Sequence, residues 1–217
     1  MNNRQNSAVM NLLAKIGHVR QRKLVWATLF RWLGRMGLTV VPYGLYVETN
    51  DYLDSAGLMN RLSRYYETKL LTPDTRDFPV LNETGIVSEI KFNTLLKQGC
   101  SCIYAERQGE MIGYCWFHPG RVMYDYLNYE LKQDEAYAFG FWTAGHARWV
   151  APGLANIVHR HLRSLGKTRI YSVTEQFNTP VKALRGKLRS ALCRLYVHIG
   201  LFGKIQVNIL LKDYSAL

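Results

Sequence analysis

The sequence predicts a mixed α/β fold, a sheet with helices packed on its faces. Three observations predict it. Short runs rich in β-branched and aromatic residues alternate with longer stretches that repeat apolar residues every three to four positions. Gln108 and Gly109 divide one apolar region into the two arms of a hairpin. Apolar residues make up 48% of 217, enough to fill a sizeable core.

In chain order, residues 10–36 come first and read as helix. Val25, Leu29, Trp32, Leu33 and Met36 recur on one face, with Arg20, Lys23, Arg31 and Arg35 along the other. This is a basic amphipathic helix. Arg31 and Arg35 interrupt the one stretch long enough to span a bilayer, so no transmembrane segment is expected. Its apolar face has two readings: packing on the body of the protein, or peripheral contact with a membrane through residues 10–36. The expected organisation is an N-terminal segment, 1–40, and one main domain, 41–217.

Residues 40–47 read as a strand, with an irregularity at Pro42, Tyr43 and Gly44. A polar connection with a short helix covers 51–64, and a strand covers 66–71. Thr72 can cap a helix that has Pro73 in its first position. Residues 86–96 form the next helix, with Ile86, Ile90, Phe92 and Leu96 available for burial. The hairpin arms are 102–106 and 111–117, and Gly113 inside the second marks a close backbone approach. A Tyr-rich linker, 124–131, leads to a strand at 136–143, a helix at 153–165, a strand at 168–174 and a basic helix at 180–192. Strands at 195–199 and 204–211 close the sheet.

The net charge is +12, unevenly spread. Residues 1–45 carry seven Lys/Arg and no acid, and residues 146–212 carry twelve Lys/Arg against Glu175 alone. Such ends attract anions: a phosphorylated cofactor, an acidic carrier protein or anionic lipid. Nucleic acid is not expected, because no basic motif with a docking geometry is present. Cys100, Cys102, Cys115 and Cys193 lack metal-ligand spacing and read as small core residues in a reducing compartment. His159 and His161, two apart on a helix, do not share a face, so no metal is expected. No secretory leader pattern is visible, which predicts a cytoplasmic protein, with the inner membrane face as the peripheral alternative.

Between the strand ending at Thr143 and the following helix stand Arg148, Trp149, Val150, Ala151, Pro152 and Gly153. Small residues at 151 and 153 let backbone N–H groups converge on a pyrophosphate at a helix N-terminus, and Pro152 lacks only a donor that the first turn can spare. This stretch resembles the cofactor loop Gln/Arg-x-x-Gly-x-Gly/Ala of the GNAT superfamily of N-acyltransferases, with Ala151 in place of the middle glycine. Residues 105–113 are similar to the family's Ala-x-x-x-Gly-x-x-x-Gly hairpin, 135–143 to its fourth strand, and 169–178 to its fifth strand and following asparagine. The resemblance covers residues from about 69 to the C-terminus.

The resemblance implies a mostly antiparallel sheet whose fourth and fifth strands splay to admit the pantetheine arm of acetyl-CoA or another acyl-CoA. Phe141, Trp142 and Thr143 would offer the arm backbone partners. Arg148, Trp149, Val150, Ala151, Pro152, Gly153 and Leu154 would hold the pyrophosphate, and Asn178 would bond the arm from the other lip. The family's catalytic glutamate aligns with Tyr137, and Glu135 stands two residues earlier on the same strand face. Glu135 is therefore expected as general base and Tyr137 as a relay, the plain alternative being a solvated Glu at a strand end. Arg185 occupies the place of the family's acid tyrosine. It cannot donate a proton usefully, but it can bind phosphate or steady a thiolate. The resemblance implies a small-molecule primary amine as acceptor, one carried by a sugar or cell-surface precursor. Two rivals stay open: an acyl carrier protein as donor, and a catalytically degenerate module that binds a membrane or a partner.

Overall fold

The computed structural model describes residues 32–49, 63–75, 89–144 and 150–214. The sequence-predicted helix up to Arg31 lies outside them. The hairpin predicted at Gln108 and Gly109 joins β3 (Ser101–Arg107) to β4 (Glu110–His118). Both turn residues have positive φ, 55° and 82°, the combination that matches the twist of paired strands. On either side lie β2 (Glu67–Leu71) and β7 (Glu135–Thr143). The remaining strands of the sheet are β1 (Leu38–Thr49), β8 (Arg169–Glu175), β9 (Ala191–Leu201) and β10 (Ile205–Asp213). The sheet runs β10-β9-β1-β8-β7-β4-β3-β2, and among the described residues only β7 and β8 pair in parallel. This is a mixed, mostly antiparallel sheet with helices on both faces.

Alternation along β4 feeds two cores. Cys115 and Phe117 face α2 (Val150–Ser164), whose Val150, Leu154, Val158 and Leu162 form a fully buried stripe at four-residue spacing. Tyr114 and Trp116 face α1 (Glu89–Lys97), where Phe92 meets both rings edge-on. Cys100 and Cys102 pack in this second core as small apolar groups. Helix α3 (Thr179–Lys187) follows β8. Among the described residues no helix is long and apolar enough to cross a membrane.

Four expectations change. The 40–47 strand is longer and lies inside the sheet, between β8 and β9. Pro42 does not interrupt it, because its carbonyl accepts from Gln176 just beyond the end of β8, where no ladder N–H is required. The register shift falls instead between Leu45 and Tyr46, opposite an extra residue, Cys193, in β9. Residues 124–131 are no linker: β5 (Arg121–Tyr124) and β6 (Leu127–Glu130) form a separate hairpin. Thr72 opens a turn closed by Thr75, whose backbone N–H bonds the Thr72 carbonyl at 3.0 Å. Lastly, α2 begins at Val150, so Ala151, Pro152 and Gly153 form its first turn rather than a preceding loop.

Candidate active site

Parallel pairing between β7 and β8 covers only Glu135, Ala136 and Tyr137, against Arg169, Ile170 and Tyr171. Beyond that the strands part. The cause is local to β7: Gly140 and Phe141 together stand opposite the single residue Cys115, a bulge that bends the strand. Gly140 takes φ +59°, and a Cβ there would lie 3.2 Å from Trp116 Cδ1. Gly140→Val should therefore cost roughly 1–2 kcal/mol from the left-handed backbone alone, read as a lower denaturant midpoint at unchanged slope. On the far side, Gly113 lets β4 approach β7 closely, since a Cβ there would meet the Trp142 carbonyl at 2.9 Å.

A cavity of about 330 Å³ occupies the opening. Phe141, Trp142 and Thr143 form one wall, joined by Ala151 and Pro152 from the first turn of α2. Phe141 leans on the α2-side core and Trp142 on the α1-side core, where it stacks on Tyr114 at 5.5 Å. The opposite wall is α3, through Pro180, Val181, Ala183, Leu184 and Lys187. Lys187 is the single charged residue of the lining. Among the described residues, the edge of β7 facing β8 has no strand beside it from Ala138 to Thr143. At one end of the cavity stands the N-terminus of the 15-residue α2, whose first-turn N–H groups have no acceptor within the helix and carry its positive dipole end.

The expected site residues divide sharply. Phe141, Trp142, Thr143, Ala151 and Pro152 line the cavity. Gly153 is buried just behind them in the first turn of α2. Val150 and Leu154 were expected to contribute through their backbone amides; their side chains are fully buried in the core, where they begin the apolar stripe of α2. Arg148 and Trp149 lie outside the described residues. Asn178 caps α3, its side-chain oxygen accepting from Val181 N at 3.3 Å.

Arg185 stands apart from the cavity. It is 4% exposed and its guanidinium is held by Glu48 of β1, an oxygen that also accepts from Ser190 at 2.9 Å. The other oxygen of Glu48 meets His159 Nε2 of α2 at 2.8 Å. Burial by itself would raise the Glu48 pKa. The His159 hydrogen bond and the Arg185 charge outweigh it and hold the carboxyl at about 2.

Glu135 and Tyr137 lie at the opposite end of β7 from the bulge wall, Glu135 about 20 Å from Phe141 at the usual strand rise. The Glu135 carboxylate is occupied, accepting from Lys132 N at 3.0 Å and from the Tyr171 hydroxyl at 3.1 Å. Tyr137 is 1% exposed and stacked on Phe139, and burial pushes its phenol well above the ordinary value. Sequence reasoning missed the α3 wall. The available signal was Pro180, Val181 and Leu184 on one side of an otherwise basic helix.

No protein-family model matches this sequence, and no curated protein matches it. Solved structures do resemble it at a distance. A tandem GNAT protein from the clavulanic acid biosynthesis pathway shares 15% identity at a TM-score of 0.47, over 83% of this chain and 57% of that one. A functionally unknown conserved protein from Staphylococcus epidermidis shares 14% identity at 0.42, over 79% of this chain and 66% of that one. The C-terminal domain of a candidate lysylphosphatidylglycerol synthetase from Agrobacterium fabrum shares 12% at 0.38, over 66% and 50%. The chain thus spans between half and two thirds of the length of each.

Proposed function

We propose that this chain is an N-acyltransferase whose cavity takes the pantetheine arm of an acyl-coenzyme A. The observation that carries the reading is the parting of β7 from β8 beside the N-terminus of α2. The residues present suit that group. Apolar walls from Phe141, Val181 and Leu184 accept a narrow methylene-rich arm, and the unpaired edge of β7 supplies backbone partners for its amides. First-turn N–H groups of α2 and the Lys187 ammonium favour phosphate.

The bound cofactor supplies a thioester carbonyl as electrophile. The chain's own contribution is orientation and exclusion of water by the two walls, with backbone N–H groups of β7 available to polarise the carbonyl. Neither Glu135 nor Tyr137 is placed to take a proton from an amine at this cavity, so the acceptor must arrive as the neutral amine. A sugar or cell-surface precursor amine remains part of the proposal.

The test is binding first, then turnover. Acetyl-CoA at 100 times its Kd should stabilise the full chain by about 2.7 kcal/mol in thermal unfolding. Thiol release across an amine panel then identifies the acceptor. Stabilisation by an acylated carrier protein with none by acetyl-CoA would replace the donor, and stabilisation by neither would end the acyltransfer reading.

A further inference from the structure

We infer that the face of the sheet built from β1, β9 and β10 docks on an anionic lipid surface, independently of whether the cavity binds an acyl-CoA. The strand register places Leu38, Leu201 and Ile205 side by side, then Val40, Ile199 and Val207, with a third apolar row centred on Val197. Directly opposite residues share a face, so this is one continuous apolar surface three strands wide. None of these residues is buried.

The other face is covered in β9, where His198 is buried, while β10 is exposed on both faces. Tyr126, in the turn of the β5–β6 hairpin, stacks on His198 at 3.8 Å, and its carbonyl accepts from Asn208. On the open face Val207 is 48% exposed and Ile205 58%, and Phe202 in the turn beyond them is 74% exposed. Phe202 N donates to the Gly37 carbonyl at 2.6 Å, which ties this turn to the one carrying the exposed Trp32 and Met36. A contiguous apolar patch of this kind marks an interaction surface.

Charge selects the occupant. Residues 32–45 and 191–213 carry Arg35, Arg194, Lys204 and Lys212 against Asp213 alone, which pairs with Arg194 at 3.0 Å. A second copy of this chain would bring cation against cation. Exposed Trp, Phe and Met among Lys and Arg match instead the interface of an anionic bilayer, where rings enter the headgroup region and cations meet phosphates.

Flotation of the full chain tests this with vesicles of phosphatidylcholine alone and of phosphatidylcholine mixed with phosphatidylglycerol. Binding is expected to the mixed vesicles only, and to weaken as salt rises. Phe202→Asp combined with Val207→Lys should lower it at least about tenfold at an unchanged melting temperature. Phe202 has φ +49°, which Asp tolerates better than Phe, so the fold should survive the change. Absence of wild-type binding to the mixed vesicles overturns the inference. So does undiminished binding of the double variant, which would assign attachment to residues 1–31. A concentration-dependent dimer that Val207→Lys dissolves, without vesicle binding, overturns it in favour of a second copy.

Discussion

Glu48→Ala is expected to cost about 3–5 kcal/mol of folding stability, the penalty for removing one partner from a buried charged network. Glu48 is 1% exposed and takes contacts from Arg185 of α3, His159 of α2, Ser190 and Ser172. Truncation leaves the Arg185 guanidinium, 4% exposed, without its carboxylate. The same carboxylate gives a pH signature. Its folded pKa of about 2 lies below the ordinary 4.5, so its contribution is full above pH 4.5 and is lost as pH falls from there toward 2. The loss is on the order of 3 kcal/mol. Urea unfolding of wild type and Glu48→Ala across that window measures both effects. If the variant matches wild type at neutral pH, or retains the same acid limb, the network does not stabilise the packing of β1 against α2 and α3.

Ala183→Trp should abolish acetyl-CoA binding, at least about a hundredfold by titration, while shifting the melting temperature little. Ala183 lines the cavity from α3 yet is exposed, so an indole can fill the opening without overpacking the core. The expected result is loss of cofactor-induced stabilisation with the apo protein unchanged. Retained binding would place the cofactor elsewhere and remove the cavity from the proposal. Glu135→Gln is the contrasting control, since that carboxylate bonds Lys132 N and Tyr171 about 20 Å away from Phe141 and should leave binding unaltered.

Local patterns made most elements legible. The Gln108–Gly109 turn, the apolar stripe of α2 and the aromatic run of β7 each declare themselves within fifteen residues, because turn chemistry and periodicity are short-range properties. The wall at Phe141, Trp142 and Thr143 was expected only through the resemblance of residues 135–143 to a known strand motif, not from periodicity. The base was not legible, since alignment to a motif places Glu135 on the correct strand but says nothing of how far it stands from the opening. Nor was Arg185, whose partner Glu48 lies 137 residues earlier.

By itself, the sequence determined the mixed α/β class, the hairpin, the strand that borders the cavity and the basic character of both ends. Only the tertiary structure decided that β1 inserts between β8 and β9, that α3 closes the cavity, and that β1, β9 and β10 align one apolar face that no described residue buries. Strand neighbours separated by more than a hundred residues are chosen through the complementarity of whole faces and buried charges, here Glu48 against Arg185 and His159, and no local period encodes that choice.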